Sequence, residues 1–132
     1  LDGVCYINDS KCTNPDSTIK AIEAMTRPTV LLLGGYDKHS DFHELFGHFG
    51  GRVKAAVVLG ETREKILAAA RDTGAIGLCH TAGTFAEAVD LARSLASPGD
   101  AVLLSPACAS WDMFEDFEQR GRVFKEQVTS FS

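Results

Sequence analysis

The chain alternates between short, continuously apolar runs and segments whose apolar residues lie three or four positions apart. The clearest run is TVLLLGG at 29–35, followed later by KAAVVLG at 54–60 and AVLLS at 101–105. Continuous apolar runs of this length are typical of strands that are buried on both faces of a sheet. Two weaker runs, VCYIN at 4–8 and IGLCHTA at 76–82, predict two further strands.

Helical patterns separate these runs. Asn14–Pro15 and Thr62 mark helix starts, and Thr84 with Glu87 three residues later is typical of a capping box. The apolar positions of the predicted helices are Ile19, Ile22 and Met25; Phe42, Leu45, Phe46 and Phe49; Phe85, Ala88, Val89, Ala92 and Leu95; and Phe114, Phe117 and Phe124.

Strands that alternate with helices at short spacing predict an α/β fold. We expect one domain over residues 1–132, with a mainly parallel sheet and helices on both of its faces. The chain opens on Leu1 rather than Met and leads directly into a strand, so we expect it to be a piece of a longer protein.

Composition narrows the class of partner. With 13 basic and 18 acidic residues the net charge is −5, which argues against a nucleic acid or an anionic membrane as the partner. No apolar run reaches the roughly 18 residues that span a bilayer. The four cysteines at 5, 12, 79 and 108 form no C-x-x-C pair, and we interpret them as reduced thiols of a cytosolic protein.

Four polar loops follow the predicted strands. They are DSKCTN at 9–14, GGYDKHSD at 34–41, GETR at 60–63 and SPACASWD at 105–112. In open parallel sheets, ligands bind beyond the carboxyl ends of the strands. These loops are therefore the candidate binding elements.

The first two loops carry cations beside a strand end or a helix start. Lys38 would face the ligand crevice, and DSKCTN adjoins a helix N-terminus, a position that favours anions. Neither a Walker A loop nor a G-x-G-x-x-G fingerprint is present. The alternative is that Lys38 is simply solvated and that DSKCTN is a polar turn capped by Asn14.

The last loop has hydroxyl donors but no nucleophile motif. Ser105 and Ser110 lack the G-x-S-x-G elbow and a base, so we predict no catalytic residue. Alternatively, Ser110 or Asp112 caps the final helix and Cys108 is a small core residue. Donors at one sheet edge without a general base predict a binding surface for an anionic substrate.

The histidines do not predict a metal site. His39, His43 and His48 are not spaced to share one helix face with a third ligand. Surface or capping roles are the expectation for all three.

Three segments together carry a family resemblance. DSKCTN, LLLGGYDKHSDF and LLSPACASWDMFEDFEQRG resemble the C-terminal domain of the Mur ligases, in the same order and over nearly the whole chain. The most discriminating part, LSPACAS followed by D-x-F-x-x-F-x-x-R-G, resembles the branch that adds D-glutamate.

The resemblance implies an ATP-dependent ligase of peptidoglycan synthesis with three domains. The chain would be its C-terminal, Rossmann-like, D-glutamate-binding domain, lacking the N-terminal UDP-binding and central ATPase domains. The enzyme would join D-glutamate to UDP-N-acetylmuramoyl-L-alanine through an acyl phosphate, with ATP and Mg²⁺ held mainly by the central domain. It also implies a monomer in the bacterial cytoplasm, and a fragment that is inactive by itself.

The same resemblance implies the ligands of D-glutamate. Lys38, helped by Thr13, would pair with one carboxylate. Ser110 and the main chain near Phe117 would hold the other. Two separate anion sites, one of them cationic, suit a dicarboxylate because charge-assisted hydrogen bonds are the strong ones.

For the nucleotide, the resemblance implies that Asp9 contacts the ATP ribose hydroxyls and that Lys11 lies near the phosphates. Two positions depart from the family pattern: Cys12 replaces a small residue such as alanine, and Trp111 replaces a smaller apolar one. Trp111 would either narrow the glutamate pocket or close it, and Cys12 would place a thiol near it.

A second hypothesis comes from another class. The chain would then be a stand-alone α/β module that binds a small anion or a nucleotide. A P-loop with G-K-[ST] upstream in the full gene would separate the two hypotheses.

Overall fold

The apolar runs of the sequence form one parallel sheet. The computed structural model describes residues 3–8, 15–34, 42–49, 52–60, 62–105 and 117–130. Within these residues the strands are β1 (Cys5–Asn8), β2 (Thr29–Gly34), β3 (Val53–Leu59), β4 (Cys79–Thr81) and β5 (Ala101–Leu104). Their spatial order is β1-β5-β2-β3-β4, and every pairing is parallel. The predicted α/β class is confirmed.

The helices fill the connections between strands. They are α1 (Pro15–Glu23), α2 (His43–Gly47), α3 (Arg63–Thr73), α4 (Phe85–Leu95) and α5 (Phe117–Ser130). None of them, over the described residues, is long and apolar enough to cross a membrane.

The predicted capping box at the start of α4 is present. The Thr84 hydroxyl accepts a hydrogen bond from the Glu87 main-chain N–H at 3.1 Å. The Glu87 carboxylate reaches back one residue further than the standard box, to the N–H of Gly83 at 3.2 Å. Two donors at the helix start are thereby satisfied.

Alternation along β2 explains why its sequence is apolar throughout. Leu31 and Leu33 pack in one core cluster with residues of α1, α2 and α3. Val30 and Leu32 pack in a second cluster with residues of α4 and α5. All six residues of the strand are buried, as expected for a strand covered on both faces.

Three predicted elements differ in extent from those observed. Phe42 and Phe49 are buried, but they flank a helix of only five residues, because their apolar spacing reflects burial rather than helix length. The segment 76–82 forms a 3₁₀ turn at Ile76–Leu78 before β4, an edge strand that pairs only with β3 among the described strands. Met25, assigned to the first helical stripe, lies beyond the end of α1 and still packs against the core.

The position of β5 is the feature of the topology that matters most for binding. This last strand of the chain lies between β1 and β2, the first two. The helices after β1 and β2 pack on one face of the sheet, whereas α5, which follows β5, packs on the other. Neighbouring strands whose connections leave on opposite faces open a crevice at their carboxyl ends.

Candidate functional site

The crevice lies where three strands end side by side. Asn8, the last residue of β1, is in register with Leu104 of β5, and Leu32 of β2 is in register with Leu104 on the other side. In the sequence, residues 9–14 and 35–41 directly follow β1 and β2, and residues 106–116 follow β5 after Ser105. The three segments that carry the family resemblance thus start from one edge of the sheet.

Most of the predicted ligands lie outside the described residues, so their roles stay predictions. These are Asp9, Lys11, Thr13, Lys38 and Ser110. The same holds for the predicted cap residues Asn14 and Asp112 and for the two departures from the family pattern, Cys12 and Trp111. His39, Cys108 and Phe114 also lie outside the described residues.

Phe117, the remaining predicted ligand, is the first residue of α5. The first main-chain N–H groups of a helix have no acceptor within the helix. The next turn of α5 contacts Asn8 through Gly121, so the start of this helix adjoins the carboxyl end of β1. A main-chain donor at Phe117 is therefore compatible with the role that the resemblance implies for it.

The segment that carries Lys38 leaves the sheet at a glycine that no other residue can replace without strain. Gly34 has φ +126°, and a Cβ atom there would lie 1.8 Å from the main-chain oxygen of Leu59 in β3. Glycine alone adopts such a conformation readily and allows so close an approach. The sequence places this glycine at the start of a loop but carries no signal of its contact with β3.

A contact between β1 and α5 was not predicted from the sequence. The Asn8 side chain donates from Nδ2 to the main-chain oxygen of Gly121 at 3.4 Å. A Cβ atom on Gly121 would lie 2.8 Å from that nitrogen and 3.1 Å from the neighbouring Oδ1. Glycine inside a helix costs about 1 kcal/mol relative to alanine, so the motif R-G in a helical segment was the available signal.

A second missed contact joins α1 to the end of β5. The Thr18 hydroxyl donates to the main-chain oxygen of Ser105 at 3.1 Å, and the Ser105 hydroxyl donates to Thr18 Oγ1 at 3.1 Å. Both residues are completely buried. Ser105 therefore has a structural role at the end of β5.

The loop GETR contributes a cation to a different part of the same edge. Arg63, at the start of α3, donates from its guanidinium to the main-chain oxygen of Ala82 at 3.3 Å. This bond joins α3 to the segment after β4, away from β1 and β5. Arg120, one turn into α5, is buried with 3% of its surface exposed and was not singled out from the sequence.

Two side chains near the amino ends of strands have perturbed pKa values. Hydrogen bonds from Lys54 Nζ at 2.7 Å and the Ser97 N–H at 2.8 Å lower the pKa of Asp100. Burial raises the pKa of the Cys79 thiol at the start of β4. Both groups lie at the opposite end of the strands from the crevice.

Two histidines on α2 and just beyond it are engaged at the surface. His43 Nε2 lies 2.9 Å from an Asp72 carboxylate oxygen, and His48 Nδ1 lies 3.4 Å from Glu23. The other ring nitrogen of His48, Nε2, lies 3.7 Å from Glu44 Oε1. Within the described part of the chain, no three His, Cys, Asp or Glu side chains are arranged to hold a metal ion. The surface role expected for His43 and His48 is confirmed.

Comparison with known proteins assigns the fold and sequence to a family. A profile described as "Mur ligase, glutamate ligase domain" matches residues 1–108. The UDP-N-acetylmuramoylalanine–D-glutamate ligase of Pelotomaculum thermopropionicum is 55% identical over 98% of this chain. The ligase of the same name from Clostridioides difficile is 50% identical over 98% of the chain. The chain spans 28% and 29% of the length of these two relatives.

Solved structures share the fold at low identity. A domain from a putative UDP-N-acetylmuramate:L-alanyl-gamma-D-glutamyl-meso-diaminopimelate ligase of Haemophilus ducreyi superposes with a TM-score of 0.65 and 14% identity, over 100% of this chain and 94% of that one. Folylpolyglutamate synthase of Mycobacterium tuberculosis, complexed with ADP, gives 0.61 and 13%, over 85% of this chain and 28% of the synthase. By its sequence match and its parallel sheet, the chain belongs to the glutamate ligase domain family of the Mur ligases.

Proposed function

We propose that this chain is the C-terminal domain of a three-domain ligase that adds D-glutamate to UDP-N-acetylmuramoyl-L-alanine at the expense of ATP. The domain binds D-glutamate and completes the nucleotide site when it closes on a central ATPase domain. In this proposal the enzyme acts as a monomer in the bacterial cytoplasm, in the synthesis of peptidoglycan.

The observation that carries the proposal is the convergence of β1, β5 and β2 at one edge. The segments that begin there hold Thr13, Ser110 and Lys38, the three side chains proposed for D-glutamate. These residues are widely separated in the sequence, and the observed strand order starts their segments from neighbouring positions. Relatives named as D-glutamate ligases match the chain over nearly its full length.

The chemistry of a dicarboxylate fits these residues. Lys38 and Thr13 supply a cation and a hydroxyl for one carboxylate, and Ser110 with the main-chain N–H at Phe117 supplies two donors for the other. Charge-assisted hydrogen bonds are roughly twice as strong as neutral ones. Two fixed carboxylates leave the amine of D-glutamate as the group that points away from the domain.

The domain contributes position rather than a reacting group. The carboxylate of the UDP-linked substrate takes the γ-phosphoryl group of ATP, and ADP leaves. The amine nitrogen of D-glutamate then attacks the acyl carbon, phosphate leaves, and the amine loses a proton. Holding the amine near the acyl carbon and excluding water favours amide formation over hydrolysis.

Asp9 and Lys11 serve the nucleotide in this proposal. A carboxylate accepts hydrogen bonds from the two ribose hydroxyls, and the ammonium group neutralises phosphate charge. Mg²⁺ supplies electrostatic stabilisation of the phosphates when bound, and the central domain holds it. The relatives' names favour this function over a stand-alone anion-binding module, because they are ligases matched over 96–98% of the chain.

The kinetic test is Lys38→Ala in the full-length ligase. We expect KM for D-glutamate to rise at least about 100-fold, because a charge-assisted contact is lost, and KM for ATP to change less than about threefold. Lys20→Ala, on the exposed side of α1, is the matched control and should change neither. Equal losses for both substrates would remove Lys38 from the glutamate site.

The location of binding is tested by a proton–nitrogen NMR titration of the 132-residue chain. D-glutamate should shift the signals of Thr13, Lys38, Ser110 and Phe117 more than L-glutamate does. The same chain mixed with D-glutamate, ATP, Mg²⁺ and the UDP-linked substrate should form no amide. Amide formation by this chain without its partner domains would contradict the proposed division of labour.

A further inference from the structure

We propose that two contacts, Asn8 with Gly121 and Thr18 with Ser105, act as paired ties that fix segment 9–17 relative to segment 106–120. Their residues are then positioning residues for D-glutamate, although none of them touches it. The inference rests on the proposed function, because Thr13 belongs to the first segment and Ser110 and Phe117 to the second.

The first tie joins the start of one segment to the end of the other. Asn8 immediately precedes segment 9–17, and Gly121 immediately follows segment 106–120. Their hydrogen bond of 3.4 Å spans 113 positions of sequence. Because Gly121 has no Cβ atom, α5 can lie directly on the Asn8 amide. The Cβ atom of an alanine at this position would lie 2.8 Å from Asn8 Nδ2.

The second tie joins the opposite ends. Thr18 immediately follows segment 9–17, and Ser105 immediately precedes segment 106–120. The two hydrogen bonds of 3.1 Å between them span 87 positions of sequence. Because both side chains are completely buried, water does not compete for these bonds, and removing the Thr18 hydroxyl leaves the Ser105 hydroxyl without its acceptor.

The two residues that flank segment 9–17 are therefore hydrogen-bonded to the two residues that flank segment 106–120. A dicarboxylate that is held by Thr13 from one segment and by Ser110 from the other needs a constant distance between them. Misplacement of a binding group by about 1 Å can cost on the order of 100-fold in rate. The ties set this distance through the scaffold rather than through the ligand.

The experiment measures steady-state kinetics of the full-length ligase with Thr18→Val and with Gly121→Ala. We expect each change to raise KM for D-glutamate about tenfold or more, with less than about a threefold change in KM for ATP. Thr18→Ser keeps the hydroxyl and should restore wild-type KM. Adding Asn8→Ala to Gly121→Ala removes the crowding atoms and should recover KM to that of Asn8→Ala alone.

Matched controls separate positioning from general destabilisation. Thr29 is also completely buried, and its hydroxyl donates to the main-chain oxygen of Arg27 at 3.0 Å, at the opposite end of the sheet. Thr29→Val should lower the Tm by a similar amount without changing KM for D-glutamate. Gly77→Ala, which meets no atom within 4 Å, is the control for Gly121→Ala.

The outcomes are distinct. An unchanged KM for D-glutamate in both tie variants, or an equal rise in the controls, would overturn the inference. If Thr18→Val does not fold, Ser105→Ala replaces it, since Thr18 then still donates to the main-chain oxygen of residue 105. A wild-type enzyme that does not use D-glutamate would instead refute the proposed function and leave the geometry of the ties unaffected.

Discussion

Replacing Gly34 by alanine should destabilise the fold strongly, although the change adds a single methyl group. The new Cβ atom would lie 1.8 Å from the Leu59 oxygen, 2.8 Å from its carbonyl carbon and 3.0 Å from its nitrogen. All three are main-chain atoms of β3, so no side-chain rotation relieves the contact. The ends of β2 and β3 must separate instead.

The magnitude follows from three terms. Forcing alanine to keep φ near +126° costs about 1–3 kcal/mol. Separating the strand ends weakens one or two ladder hydrogen bonds, each contributing about 1 kcal/mol. Alanine also reduces the entropy of the unfolded chain, which offsets about 0.4–1 kcal/mol. The net loss is about 1–4.5 kcal/mol, which is large beside the roughly 5–15 kcal/mol stability of a typical domain.

Thermal and urea unfolding of the 132-residue chain, followed by far-ultraviolet circular dichroism, measure this loss. For a domain of this size, 1 kcal/mol corresponds to about 3–5 °C in Tm, so Gly34→Ala should lower Tm by about 10 °C. Gly77→Ala has open space around it and should leave Tm unchanged or slightly raised. A Gly34→Ala variant within 2–3 °C of wild type would refute the argument from close approach and strain.

Three further outcomes are expected. Asp100→Asn should cost about 1 kcal/mol at pH 7. Because its partners lower the pKa of Asp100 in the folded state, the stabilisation by this carboxylate is present above about pH 4 and is lost as pH falls through that lowered pKa. The difference in Tm between wild type and Asp100→Asn should therefore shrink in acid. A difference that stays constant with pH would contradict this. Thr84→Ala should lower stability by about 1 kcal/mol in urea unfolding, while Thr84→Ser retains most of it; equal losses would argue against the cap. At pH 7.5 a thiol reagent should label the exposed Cys5 faster than Cys79, whose pKa is raised by burial. Mass spectrometry of the labelled peptides measures the order of labelling, and faster labelling of Cys79 would contradict this prediction.

Much of the fold can be predicted from the sequence because buried positions are occupied by apolar residues. The run TVLLLG reports a strand covered on both faces, and Thr84 with Glu87 reports a helix start; both are local signals. The strand order is not local. Nothing in the run at 101–105 indicates that β5 inserts between β1 and β2, since that choice depends on which helices cover which face. The length of α2 could likewise not be predicted from the sequence, because Phe42 and Phe49 have helical spacing but lie outside the helix.

The candidate site was predictable as a set of segments but not as a scaffold. Motif resemblance selects loops at strand ends, and the sheet brings those ends together. The contacts of Asn8 with Gly121 and of Thr18 with Ser105 involve residues far apart in sequence and of ordinary type. Gly121 alone carried a signal, as a glycine inside a helical pattern, and that signal does not name its partner.

The insertion of β5 also imposes an order on folding during synthesis. Among the described strands, β1 pairs only with β5, so it has no partner in the sheet until the chain has been synthesised as far as Ala101. β2 and β3, in contrast, join as soon as both are made. A nascent chain stalled before residue 101 would hold a β2-β3-β4 subset with β1 unattached, and protease would cut near Cys5–Asn8. Translation of β5 then joins β1 to the sheet, so the crevice is completed only in the last stage of folding.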